Sequence, residues 1–210
     1  MVTEVTFSQP VTTREQLREI IAEPNELAVR KQISVIDEHC RAFIERSPFL
    51  FLATSDAQGN CDVSPKGDAA GFVQIVDENT IVIPDRPGNN RLDSLQNIID
   101  NPHAAALFII PGAEWTLRVN GRATIIRDED VLERSAVNGK RPALGIAIDV
   151  EEAFLHCPKC MLRSKLWEHD GWQHKDDLSF AEIARDHVKL QHVPVEVVQN
   201  ALDKDVETLY

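Results

Sequence analysis

IPDRPGNNRLDSL, residues 83–95, closes an apolar strand and opens a helix within one short stretch. The segment around it, RLDSLQNIID (91–100), spaces Leu92, Leu95, Ile98 and Ile99 for one helix face and is stopped by Asn101-Pro102. Asn89 or Asn90 is the expected N-cap, with Asp93 in the first turn. Gly88 permits a close approach to that turn, and Arg86 and Arg91 bracket it. A helix N-terminus presents unpaired N–H groups and a partial positive charge, which favours phosphate. A neighbouring arginine adds a bidentate charged contact. Locally, a capped helix with two solvated arginines reads as well as an anion site.

Outward from this turn the chain is mostly strand. FLFLATS (49–55) is a continuous apolar run leading through Gly59-Asn60 into CDVSPKG (61–67), which reads as a hairpin. GFVQIV (71–76) and TIVIP (80–84) continue the pattern across a DEN turn, and AAALFII (104–110) is a further strand. In WTLRVNGRATIIR (115–127), Leu117, Val119, Gly121, Ala123 and Ile125 alternate with polar residues, giving a half-buried strand bent at Gly121. RDEDVLERSAV (127–137) suggests a short helix and LGIAIDVEEAFL (144–155) a last strand. Helices are expected at 12–21, capped by Thr12 or Thr13, and over 25–46. In the latter, Val29, Ile33, Ile36, Cys40 and Phe43 form one face, with Cys40 a buried small hydrophobe. Two more helices, separated at Pro194, fill the tail from about Ser179. Strands joined by short turns pair antiparallel, so the fold class is α+β around a small antiparallel barrel flanked by helices. A dinucleotide-binding α/β fold is excluded: there is no Gly-rich strand-to-helix fingerprint and no strand–helix alternation. The organisation is an N-terminal helical segment (1–47) packing on the barrel, the barrel domain (48–178) and a helical tail (179–210).

Composition narrows the partners. At 210 residues, 43% apolar and 27% charged, the chain supports one well-cored domain. A net charge of −12 argues against nucleic acid or an anionic membrane as the main partner, while leaving room for a small anionic ligand at a local basic cluster. MVTEVTFSQP carries no basic or apolar leader pattern, and the longest apolar runs are too short to span a bilayer, so a cytoplasmic protein is expected.

HCPKCMLRSKLW (156–167) is open to several readings. Cys157, Cys160, His169 and His174 make a C-x₂-C-x₈-H-x₄-H series, whose connecting interval is short for a zinc finger. A redox C-x₂-C needs a thioredoxin-like setting that the surroundings lack. No metal is expected.

Taken in order, SPKGDAAGF (64–72), IPDRPGNNRLDSLQNIIDNP (83–102), AALFII (105–110) and TLRVNGRA (116–123) resemble the pyridoxamine 5'-phosphate oxidase-like family of FMN-binding split barrels, across roughly residues 30–170. The resemblance implies a split β-barrel, FMN as cofactor, a homodimer with FMN at its interface, and an FMN-dependent oxidoreductase with a small-molecule substrate. Asn89, Asn90 and Arg91 fall at the FMN phosphate, with Arg91 as the charge-paired contact. Pro84, Asp85 and Arg86 fall beside the flavin; Ser64, Pro65 and Lys66 pass its ring; Thr116 bonds to it. Arg163, Lys165 and Trp167 match a run that closes over the cofactor, which makes HCPKCMLRSKLW a cofactor wall, with metal as the second reading. The basic and histidine motif with which the oxidase itself grips its substrate is missing, so the substrate does not transfer and no catalytic residue is assigned. The alternatives are a non-catalytic flavin-binding or redox-sensing protein, and the same fold with a deazaflavin or haem.

Overall fold

The computed structural model describes residues 5–172, 179–207 and 209–210. The chain divides into two compact units after Gln32. The first holds α1 (Arg14–Ile20) and α2 (Glu26–Arg30). Thr13 caps α1 in a capping box with Gln16, as the T-x-x-Q spacing allows, and Asn25 caps α2. Neither helix buries a residue.

The second unit is a seven-stranded antiparallel sheet: β1 (Phe49–Ser55), β2 (Cys61–Gly67), β3 (Gln74–Ile75), β4 (Thr80–Pro84), β5 (His103–Ile109), β6 (Thr116–Ile126) and β7 (Gly145–His156). Its order is β2-β1-β5-β6-β7-β4-β3, and no ladder joins β2 to β3 or β4, so the barrel is split rather than closed. Around it stand α3 (Glu38–Ile44), α4 (Asp93–Asp100), α5 (Glu129–Glu133), α6 (Lys159–Ser164), α7 (Phe180–His187) and α8 (Val195–Val206). Leu50, Leu52, Ala106, Phe108, Leu117, Val119, Ile146 and Ile148 fill the core, and Leu95 and Ile98 of α4 pack against it. Among the described residues, no helix is long and apolar enough to cross a membrane.

The expected helix over 25–46 is two helices. Between them Ile33 exchanges both main-chain hydrogen bonds with Ala153 (3.0 and 2.7 Å), and the Ile36 amide donates to Glu78 O at 2.7 Å. With those groups spent on the sheet, a helix can restart only at Asp37, whose carboxylate accepts from the Cys40 amide at 2.8 Å. Val29 is exposed, whereas Ile36, Cys40 and Ile44 are buried. Burial, together with a hydrogen bond to Asp37, pushes the Cys40 thiol up to about 12, which suits an inert core cysteine. The expected strand GFVQIV shrinks to the two residues of β3, and the apolar run of β1 is buried on one face only.

β6 alternates as its sequence predicts, with Leu117, Val119, Gly121 and Ala123 buried. Its register against β7 shifts between Asn120 and Gly121. A Cβ on Gly121 would stand 1.9 Å from Asp149 O, a clash that neither main chain can relieve. Gly121→Ala is therefore expected to destabilise the fold by about 3 kcal/mol, read as a lowered urea midpoint at unchanged m-value.

Candidate functional site

A cleft of about 520 Å³ opens where the ends of β2 and β4 face each other without a ladder. Its walls include Ser64 and Lys66 of β2, Asp85 to Asn90 after β4, Leu92 to Leu95 at the start of α4, Lys140 to Ala143 before β7, and Tyr210. Strand alternation explains the first wall. In β2, Asp62, Ser64 and Lys66 turn inward while Val63 and Pro65 face out.

Two ion pairs bridge the split. Lys66 Nζ lies 3.5 Å from Asp85 Oδ1, and Arg86 Nε lies 2.6 Å from Asp68 Oδ2, with only 3% of the Asp68 side chain exposed. The other Asp68 oxygen accepts from the Ala69 amide and, at 2.7 Å, from the Tyr210 hydroxyl. Burial raises the Asp68 pKa, but the Tyr210, Ala69 and Arg86 hydrogen bonds outweigh it and hold the carboxyl below its ordinary 3.8. The Asp68 hydrogen bond in turn raises the Tyr210 hydroxyl. Deeper in, Ser94 Oγ lies 2.9 Å from Ser64 Oγ and donates to Asp62 Oδ2 at 3.0 Å, which ties α4 to β2.

The turn into α4 differs from the expected cap. The helix begins at Asp93, and its N-cap position is Leu92, in the left-handed region at φ 64° with no side-chain cap. Asn90 is left-handed too, and the Asn89 side chain accepts from the Arg91 amide rather than from the helix. A left-handed leucine costs about 1–2 kcal/mol, so the loop is held in a strained form. The outcome is a helix N-terminus whose first amides open, uncapped, beside the cleft. Leu92 and Ile99, expected on the packed face, are exposed: the helix starts after Leu92, and Ile99 lies about 100° round from Ile98, off the buried Leu95–Ile98 face.

Of the residues singled out in the sequence, Ser64, Lys66, Asp85, Arg86, Asn89 and Asn90 line the cleft together. Pro65 faces out, and Pro84 is buried at the end of β4. Arg91 is exposed at the mouth, its guanidinium 2.8 Å from Asp93, which raises its pKa. Thr116 is buried, three strands from β2 through the register Thr116–Ile109–Phe49–Gly67. Arg163 and Lys165 are exposed on and just after α6, Lys165 lying 3.3 Å from Glu168. Trp167 donates to Ala113 O at 2.8 Å. None of these last four lines the cleft. Cys157 and Cys160 are exposed thiols; His174 lies outside the described residues, as do 173–178 at the expected domain boundary. Among the described residues, no three His, Cys, Asp or Glu side chains gather to hold a metal.

Sequence reasoning missed Lys140 and Arg141. Asn138 and Gly139 both have positive φ, and Val137 and Lys140 exchange main-chain hydrogen bonds across them at 3.1 and 2.9 Å. This is the two-residue turn that an Asn-Gly pair announces, and it fixes Lys140 at the cleft.

Asp68 sets an acid limit. A carboxyl depressed in the folded state contributes stability above its unfolded pKa and loses it as pH falls through the folded value. Asp68→Asn is expected to lower stability at neutral pH and to flatten its fall as the pH drops below the ordinary carboxylate value of 3.8, measured by urea unfolding across the acid range.

The family model described as pyridoxamine 5'-phosphate oxidase matches residues 36–157. No curated protein matches the chain. Among solved structures, HupZ of Group A Streptococcus is 21% identical, with 57% of this chain and 93% of that one covered, at a TM-score of 0.46. An FMN-binding protein of Syntrophomonas wolfei is 10% identical (56% and 83% covered, TM-score 0.43). HutZ, the heme storage protein of Vibrio cholerae, is 18% identical (58% and 93% covered, TM-score 0.39). The match over more than half of its length, on a split barrel of this topology, makes the chain a member of the pyridoxamine 5'-phosphate oxidase family.

Proposed function

We propose that the chain is an FMN-binding flavoprotein and an FMN-dependent oxidoreductase acting on a small molecule. The observation that carries this reading is the uncapped N-terminus of α4 opening on a cation-lined cleft in a member of this family. The residues present fit the group. The volume lies within the roughly 300–1,000 Å³ of small-molecule sites, and the α4 amides, with the paired cations Lys66 and Arg86 beside them, suit a phosphate. Asn89 and Asn90 add amide donors, while Ser64 and Asp85 supply polar contacts toward the rest of the ligand. Arg91 offsets the charge of Asp93, which would otherwise repel an anion at this helix end. Bound FMN would supply the electron chemistry; the chain holds it, orients it and places a cation, Lys66 or Arg163, near its ring.

The reading extends to a homodimer with FMN at the interface. Phe49, Phe51, Ala53, Val63, Pro65, Ala105, Leu107 and Ile109 share the outer face of β2-β1-β5, and Phe51 and Val63 are exposed there. A second copy on this face would cover it, and a two-fold axis would let each chain's Arg163, Lys165 and Trp167 serve the partner's cleft.

Three outcomes are expected. The purified protein carries, or is reconstituted by, about one FMN per chain, and quenches its fluorescence; a colourless protein that leaves added FMN unquenched removes the proposal. Arg91→Ala weakens FMN about tenfold and riboflavin little, since only FMN has the phosphate; equal losses would make Arg91 structural. Light scattering gives a dimer that Phe51→Asp dissociates, with loss of flavin, and a wild-type monomer that keeps its FMN would end the interface assignment. Turnover of NAD(P)H with an electron acceptor separates the enzyme from a flavin-binding protein without catalysis.

A further inference from the structure

We propose that Cys157 and Cys160 are a redox-active dithiol, oxidised to an internal disulfide by an anionic low-molecular-weight disulfide, and that the bridge pins the first turn of α6. The pair lies outside the cleft and is independent of the ligand proposed there.

The four thiols are unlike. Cys40 is buried, with its pKa pushed up to about 12, and Cys61 is an exposed thiol at the start of β2, its Sγ 3.6 Å from Gly59 O. Cys157 and Cys160 are both exposed and three residues apart. A redox pair needs a strand before it and a helix start beneath it, a setting the sequence did not display. In the fold β7 ends at His156, α6 begins at Lys159, and Pro158 between them is in the right-handed helical region at φ −75°. The main chain therefore turns as a helix from one cysteine to the other, which brings residues three apart to about 5–6 Å between Cβ atoms. A disulfide takes Cα atoms about 4.4–6.8 Å apart and Cβ atoms about 3.5–4.5 Å apart, so closure asks for a shift of about an ångström.

α6 can give that shift. It has six residues, buries none of them, and its N-cap, Pro158, makes no side-chain hydrogen bond. A helix that short is marginal without packing, and its first hydrogen bond runs from the Leu162 amide to Pro158 O at 3.0 Å. A bridge between Cys157 and Cys160 supplies the constraint that burial and capping do not. The surroundings also choose the oxidant. Lys159 lies between the cysteines, Arg163 follows one turn on, and α6 holds no acidic residue, within a chain of net charge −12. An anionic disulfide therefore meets cations here. One cysteine thiolate attacks a sulfur of the disulfide R–S–S–R, forms a mixed disulfide and expels R–S⁻. The second thiolate attacks the protein sulfur of that bond, closes the bridge and expels the other R–S⁻. The dithiol loses two electrons and two protons, and the small disulfide becomes two R–SH. Beyond α6 the chain reaches Trp167, whose Nε1 donates to Ala113 O at 2.8 Å, so the bridge and this hydrogen bond hold the segment at both ends.

Oxidised glutathione is the probe, on the full chain carrying Cys61→Ser so that the remaining exposed thiols are the pair. The protein should lose two titratable thiols and two hydrogens of mass, with no glutathione retained and no covalent dimer. Trypsin cuts after Lys159 and Arg163, so the bridge should tie the peptide ending at Lys159 to Cys160–Arg163 until a reductant is added. Adding Cys157→Ser or Cys160→Ser should stop the reaction at one retained glutathione, the trapped mixed disulfide. Both positions are exposed, so neither change threatens the fold. Hydrogen exchange at the amides of Leu162 to Lys165 should slow about tenfold on oxidation, recover on reduction, and stay unchanged in either serine variant. Two glutathiones retained on the pair, or a disulfide that joins two chains, overturns the dithiol. A bridge that leaves the exchange of α6 as it was overturns the pinning of its first turn. All of these results are read without FMN, so a chain that binds no flavin can still give every one of them, and their failure leaves the flavin proposal standing.

Discussion

The two strand ends that meet without a ladder govern both the fold and the site. β2 pairs only with β1, and β4 only with β7 and the two residues of β3, so the sheet rolls up but does not close. Two side-chain ion pairs stand where backbone hydrogen bonds would have been. The Asp68–Arg86 pair is the costly one, since a carboxylate with 3% of its side chain exposed has lost its water. It persists because both of its oxygens are filled, by Arg86 on one side and by the Ala69 amide and Tyr210 hydroxyl on the other. A closed barrel would have no use for these charges and no opening to line with them.

α4 turns that opening into a cleft. Leu95 and Ile98 anchor it in the core, and Ser94 binds Ser64 and Asp62 across the split, so the helix is fixed on its packed side. Its N-terminus is fixed in an unfavourable state, without a side-chain cap and with left-handed Asn90 and Leu92 leading in. Packing of the helix body sustains that strain, and the result is a set of amides with no internal acceptor at a wall already rich in cations.

Strands were legible in the sequence wherever one face is wet. The alternation in β6, including the bend at Gly121, and the turns around β2 and β4 are local signals; it was the family resemblance that singled out Ser64, Lys66, Asp85 and Arg86, which the fold brings to one cleft. The 25–46 segment failed because its apolar spacing fits a helix as well as it fits a link that spends its hydrogen bonds on β7. Only the partner strand decides between them. The α4 cap failed for a related reason: asparagines next to a helix are good caps, but here Asn89 is consumed by its own Asx turn. Lys140 had a signal in Asn138-Gly139, but its distance in sequence from the other site residues hid it. Tyr210, 142 positions from the Asp68 it bonds, had none.

The charge arrangement also bears on the ligand proposed for the cleft. The chain carries −12 overall, so no long-range field draws an anion in, and affinity must come from contacts made within the cleft. There, most cations are already neutralised by carboxylates, two of them in the pairs that hold the split together. A ligand with charge alone would have to break those pairs and would gain little. On the reading proposed above, a ligand that brings a phosphate to the α4 amides, and a large uncharged body to the rest of the cleft, would leave them intact. On that reading, the pairs that substitute for the missing ladder would also select against simple anions, so the charges that stabilise an open barrel would make its cleft selective.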